Sequence, residues 1–208
     1  MLAFMNQRNP NATTWTIDSM HSAVGFCVRH MMIANARGYF REVHGVVAYD
    51  ASHPELAAVH VEIEAASLDT RAEARDAHLR NADFFDVQNH PVITFRSTRV
   101  DAPPAGGLAV HGDLTIRGTT REVTLAVAEI TKPQKDHNGR LRIGASATAR
   151  IKRSAFGITY NLLLEAGGIA LADEVALTFD MSLVQHDADM IYARRPWRSS
   201  TWMTSQSS

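Results

Sequence analysis

A single cysteine, Cys27, stands among 208 residues. No internal disulfide can form, so stability must come from packing. One thiol also fits a reducing compartment. Charge of one sign is lacking too: 22 acidic residues face 21 basic ones, for a formal net charge of −1. That balance gives no electrostatic footprint for nucleic acid. The basic residues are spread out, apart from "RRPWR" near the end. Long apolar runs are missing, since no stretch approaches the ~18 residues of a membrane span. The opening "MLAFMNQRNPNATTW" has an apolar run of five with no basic residue before it. A secretory core needs about 7–15, so a soluble cytoplasmic protein is expected. No Gly-rich phosphate loop, internal repeat or linker interrupts the chain. Ten histidines are present, yet there is no H-x-H, H-E-x-x-H or C-x-x-C, and no metal site is expected. His21 and His30 are an odd number of residues apart, so one regular strand would point them to opposite faces. Cys27 has no visible base beside it and is not expected to act as a nucleophile.

What is present is alternation. "AVGFCVRHMMI" sets Val24, Phe26, Val28, His30 and Met32 on one face at period two. "AVHVEIEA" puts Val59, Val61, Ile63 and Ala65 against His60, Glu62 and Glu64. The pattern continues through "PVITFRSTRVD", "LAVHGDLTIRG" and "EVTLAVAEI". "RLRIGASATARI" carries small residues on one face, Ala145, Ala147 and Ala149, and "EVALTFDMSLV" closes the series. About eight strands result, several of ten residues or more. Alternation means one wet face and one buried face, as in antiparallel sheets. So many long strands must stack as a sandwich or close as a barrel.

One segment breaks the pattern. "SLDTRAEARDAHLRNAD" is charged and helical. Thr70 and Glu73 have the T-x-x-E capping-box spacing, and about three turns of helix are expected. Asp76 and Arg80 stand at i, i+4 and are expected to pair. Asp83 is expected to cap a further turn carrying Phe84 and Phe85, before Pro91 opens the next strand. A hairpin needs only about two to five residues here, so the extra length reads as a lid over one end of a barrel. Neighbours on a helical turn diverge by about 100°. One of the two phenylalanines is therefore expected to anchor the helix and the other to face the interior.

These pieces together resemble the YceI-like family of lipocalin-like, polyisoprenoid-binding proteins. The resemblance is carried by "WTIDSMHSAVGFCVRH", "GYF" with Gly45, "SLDT....RDAHLRNADFFDVQNHPVITFRST", "HGDLTIRGTTREVTL", "IKRSAFGI" and "ADEVALTFDMSL". It covers roughly residues 15 to 184. It implies an all-β fold with a short helical insertion: an extended eight-stranded antiparallel lipocalin-like β-barrel around an apolar cavity. It also implies an isoprenoid quinone, a polyprenyl compound or a fatty-acid derivative as the bound molecule, with no other cofactor. The family pattern carries no catalytic set. The chain departs from many members in lacking a visible signal peptide, and in having Ala155 where members often carry an acid. The expected organisation is a flexible lead-in over 1–14, the barrel over 15–185, and a polar tail over 186–208.

Ten residues of strand span about 33 Å, enough for an extended hydrocarbon. Burying a CH₂ is worth roughly 0.8 kcal/mol, so apolar contact alone can hold a long chain. The inward positions are Val24, Phe26, Val28, Phe40, Phe95, Leu114, Ile116, Phe156, Ile158 and Phe179. Read from the residues alone they favour a solid core; the resemblance implies a hollow one. His30 reads either as a hydrogen-bonded core histidine or as a contact to a ligand headgroup. His78, Phe84, Phe85 and Tyr160 complete the expected binding set. The rival reading is an enzyme, with His30, Asp76, His78 and Tyr160 converging on an apolar substrate. A third is a homodimeric module using the outer strand faces and the tail.

Overall fold

The computed structural model describes residues 9, 11–103, 106–162 and 170–186. Its strands are β1 (Thr13–Ile17), β2 (Ala23–His30), β3 (Ala34–Phe40), β4 (Val43–Tyr49), β5 (Ala58–Glu64) and β6 (Leu68–Asp69). A helix α1 (Glu73–Arg80) follows. Then come β7 (Val92–Asp101), β8 (Leu108–Ile116), β9 (Thr119–Ile130), β10 (Gln134–Lys135), β11 (Leu141–Lys152) and β12 (Leu171–Gln185).

These segments form one sheet that closes on itself as an eight-stranded antiparallel barrel. The count follows from register. β1 and β2 lie end to end along β12, with Ile17 opposite Leu183 and Val24 opposite Phe179. β3 and β4 continue one another along β2 and β1, and β6 and β5 do the same along β3 and β4. Three interrupted staves and five others therefore make an up-and-down barrel. The pairing of β11 with β12, from Arg142–Val184 to Lys152–Glu174, closes the ring. Closure pairs both edges of the ladder along most of its length.

Period-two alternation sets the inside. Ile93 and Phe95 point in and Thr94 and Arg96 point out. The pattern slips once in β7, at a bulge between Ser97 and Arg99. Ser97 is completely buried there, and its hydroxyl accepts the Val59 N–H at 2.8 Å. A side chain thus replaces a backbone acceptor where the ladder lapses. Gly112 matters for a different reason. A Cβ at this position would lie 2.6 Å from the Phe95 ring and 2.5 Å from the Arg96 carbonyl. The missing side chain lets Phe95 lie across the neighbouring stave.

Several local expectations need correction. The strand ends at His30, and Met32 sits in the following turn, 65% exposed, instead of on the inner face. Helix α1 has 8 residues, nearer two turns than three. Its N-cap is Ala72, with no side-chain cap. The capping box does not form because Thr70 is used elsewhere: Asp76 accepts from both its backbone N–H and its hydroxyl. Asp76 and Arg80 are consequently not a pair, and Arg80 donates to the carbonyls of Ala66 and Leu68. The turn after the helix is held by Asn81, whose Oδ1 accepts the Asp83 N–H, while the Asp83 carboxylate meets His78. The first strand starts at Thr13, and Asn9 reaches Asp50, so structure begins inside the expected lead-in. Apart from His186, which is held by Thr14 and Thr16, the tail lies outside the described residues.

Away from the helix, Arg142 ties three segments together. It donates to Asp136 and to Asp18, and also to the hydroxyl of Ser182. The Arg142 hydrogen bond is the main cause holding the Asp136 carboxyl well below the usual carboxylate range. Burial would raise Asp18, but hydrogen bonds from Arg142, His21 and the Met20 N–H outweigh it and lower this carboxyl too. A carboxyl depressed in the folded state stabilises it above the unfolded value, near 4, and that contribution is lost as pH falls through the folded value. Arg142→Met should therefore start acid unfolding at a higher pH, read by circular dichroism against pH. Ser97→Ala removes a single oxygen but orphans the Val59 N–H, and should cost about 1–3 kcal/mol in denaturant titration. Ser97→Thr should cost less.

Candidate functional site

The barrel is hollow. A cavity of about 670 Å³ runs through it, lined from all eight staves, from Tyr49 and Ile130 at one end to His30 and Leu171 at the other. The sequence makes the room on β11. There the inner face reads Ile143, Ala145, Ala147, Ala149, with Ala147 opposite Phe179 on one side and Val127 on the other. Two alanines sit where leucines would fill the middle. Every one of the fifteen expected positions lines this space: Val24, Phe26, Val28, His30, Phe40, His78, Phe84, Phe85, Phe95, Leu114, Ile116, Phe156, Ile158, Tyr160 and Phe179.

The helix end of the cavity is capped by two groups of rings. Phe85 packs against Phe26 and Phe40, with centroids 6.5 and 5.5 Å away. Phe84 packs against His78 and Tyr160 at 5.0 to 5.2 Å, and those two also touch each other edge to face. The expected division between one anchor and one inward ring is therefore wrong. The chain after α1 leaves the helix before Phe84, so the 100° rule does not apply, and both rings reach the interior. Each ring contact of this kind contributes about 0.5–1.5 kcal/mol beyond burial. Phe85 fastens the insertion to β2 and β3. Phe84 fastens it to the β11–β12 connection.

That connection is organised by Arg153, which the sequence reading passed over. It is buried, and its guanidinium donates to the carbonyls of Ile158, Tyr160 and Ala172 at 2.7 to 3.0 Å. Burial lowers its pKa, against the pull of Asp173, but a guanidinium stays charged. Beside it, a short helical turn Arg153–Phe156 places Phe156 and Ile158 under the mouth. Arg75 completes the rim, donating to the Thr70 hydroxyl and carbonyl at 2.7 Å.

The polar lining is one-sided. Arg37, Arg75, Arg153, His30, His78, Asn35 and Thr70 stand at the helix end, and no carboxylate lines the cavity among the described residues. The opposite end offers Tyr49, whose phenol is pushed above its ordinary pKa by burial, with Asp50 adding to the effect. His30 is exposed at the rim and is not a core histidine. The proposed acid–base set does not converge: Asp76 is committed to Thr70 and does not line the cavity, and only His78 and Tyr160 touch. The mouth also has a side opening. β6 pairs only with Tyr39 and Phe40, so β3 has no partner on that edge from Ala34 to Gly38 among the described residues. Ala34 to Arg37 line the cavity along it.

The YceI-like domain model matches residues 15–183. The chain belongs to the YceI-like family. A UPF0312 protein of Ectopseudomonas mendocina is 36% identical over 153 residues, covering 73% of this chain and 80% of its own. One from Staphylococcus aureus is 32% identical, covering 78% and 92%. Among solved structures, Burkholderia cenocepacia BcnA superposes with a TM-score of 0.69 at 25% identity, over 80% of this chain and 98% of its own. A polyisoprenoid-binding domain from Saccharophagus degradans shares the fold, with a TM-score of 0.59 at 14% identity over 85% and 100%. The helical insertion of this YceI-like barrel hangs on the loop that Arg153 organises. Arg153→Lys keeps the charge but cannot reach three carbonyls from one planar group. It should lower stability by on the order of 3 kcal/mol, measured by denaturant titration.

Proposed function

We propose that the barrel binds one long apolar molecule with a small polar end, and stores or carries it. The observation behind this reading is the cavity: about 670 Å³, within the ~300–1,000 Å³ usual for ligand sites. Its walls are almost wholly aliphatic and aromatic, and an empty apolar space of this size forfeits contacts that a hydrocarbon restores. The solved domain described as polyisoprenoid-binding has the same fold, which supports an isoprenoid quinone, a polyprenyl compound or a fatty-acid derivative as the occupant. The cationic and donor-rich helix end sets the orientation. The polar end of the molecule lies toward Arg37 and Arg75, and its tail runs between the staves toward Tyr49. Few polar groups are needed, because the affinity comes from the tail.

Native mass spectrometry of protein purified from its own host is the test. A bound mass that disappears on denaturation is expected, and organic extraction then identifies it. The same spectrum gives the number of subunits. Ala147→Phe puts a ring into the middle of the space and should leave the circular dichroism spectrum unchanged while sharply reducing the loaded fraction. Protein that carries nothing and takes up nothing from a lipid extract would end this reading.

A further inference from the structure

The turn between β2 and β3 breaks two rules at once. Met31 and Met32 both have left-handed backbone, with φ of 50° and 57°. That conformation favours glycine or asparagine and is costly for other side chains. Both methionines and Ile33 are also exposed, by 41%, 65% and 77%. Turns are normally polar, and three adjacent apolar side chains in water call for an explanation. Leu162, 57% exposed, belongs to the same patch. Ala170 joins the two, since its carbonyl accepts the Met31 N–H and its N–H donates to the Leu162 carbonyl.

This patch borders the cavity mouth. His30 and Ala34, on either side of the tip, line the cavity, as do Leu162 and Ala170. The flanking charge is positive. Arg29 and Arg37 are exposed on the two strands that carry the tip, and Arg71 and Arg75 are exposed just before and within α1. Most carboxylates at this end are already engaged: Asp69 with Arg41, Asp83 with His78, Asp173 with Ser154 and Glu174 with Arg150. Among the described residues Glu73, in the first turn of the helix, is the exception.

We propose that this tip docks the mouth of the barrel on a lipid bilayer that carries anionic headgroups. Met31, Met32, Ile33 and Leu162 enter the acyl boundary, and Arg29 and Arg37 meet the headgroups. A molecule leaving past His30 and Ala34 then passes into the bilayer without crossing water. This last step rests on the carrier reading above; the docking itself does not.

Full-length protein is sedimented with vesicles of phosphatidylcholine alone and of phosphatidylcholine mixed with phosphatidylglycerol. Binding is expected with the mixed vesicles, much less with the neutral ones, and weakening with salt. Met32→Asp with Ile33→Asp should reduce it by at least about tenfold. Arg29→Glu with Arg37→Glu should reduce it several-fold and remove the salt dependence. All four positions are on the surface, so both variants should keep the native circular dichroism spectrum. Absence of vesicle binding, or an undiminished Met32→Asp, Ile33→Asp protein, overturns the proposal. So does a tip variant that only turns a dimer into a monomer, which would make the patch a subunit contact. Bound mass, measured on the same samples, separates the two readings. Vesicle binding by protein that carries no lipid removes the carrier and leaves the docking face. Bound lipid without vesicle binding does the reverse.

Discussion

Everything in this molecule depends on β11 finding β12. The ladder between them closes the ring, and without it the sheet would be an open ribbon. An open sheet must cover its faces with something else. A closed one turns one face wholly inward, and the question of what fills the interior becomes a question about side-chain volume. β11 answers it with alanines at Ala145 and Ala147. The seam that makes the interior is thus also the wall that leaves it unfilled. Arg142 braces that seam from outside, between Asp18 and Asp136.

Leaving a core unfilled lowers stability, and the structure offsets this in identifiable places. Large rings are concentrated at the helix end, where Phe26, Phe40 and Phe85 meet, and Phe84 meets His78 and Tyr160. Phe156 and Leu68 are buried close by. Dense packing at one end and open space along the axis divide the work: the rings hold the fold, and the axis is left for a guest. The arginines at the dense end fit this division. Arg153 spends its donors on backbone carbonyls, so the loop it organises is held by the fold and not by the guest.

The strands were readable because period-two alternation reflects a global constraint: each residue must face either water or the interior. The same constraint made nine of the expected lining positions legible, those on β2, β3, β7, β8 and β12; the other six lie on α1 or in connections, where no alternation marks them. Whether the interior is solid could not be read from the strands, because Phe95 or Leu114 points inward in either case. Local devices were harder to read. The Thr70–Glu73 spacing suggested a capping box, but the Thr70 hydroxyl has a competing acceptor in Asp76, which only the fold brings into reach. Phe84 and Phe85 were assigned to a helix that ends before them. Met32 continued the period of β2, yet the chain had already turned at Met31. Arg153 gave no signal at all, since its partners are carbonyls that no sequence pattern marks.

The three broken staves all lie in the first part of the chain. β1 and β2 part at Ser19–His21, β3 and β4 at Arg41 and Glu42, and β5 and β6 at Ala65–Ser67. From β7 to β12 the ladder is shifted by bulges but never parted in this way. The barrel is therefore a rigid trough carrying a jointed shutter. Breathing that exposes the interior should concentrate in the shutter, where each ladder is short and opens at low cost. The edge of β3 that has no partner among the described residues lies there too. The wall that can part sideways is thus set by where the ladder was cut, and the rest can stay shut while it opens.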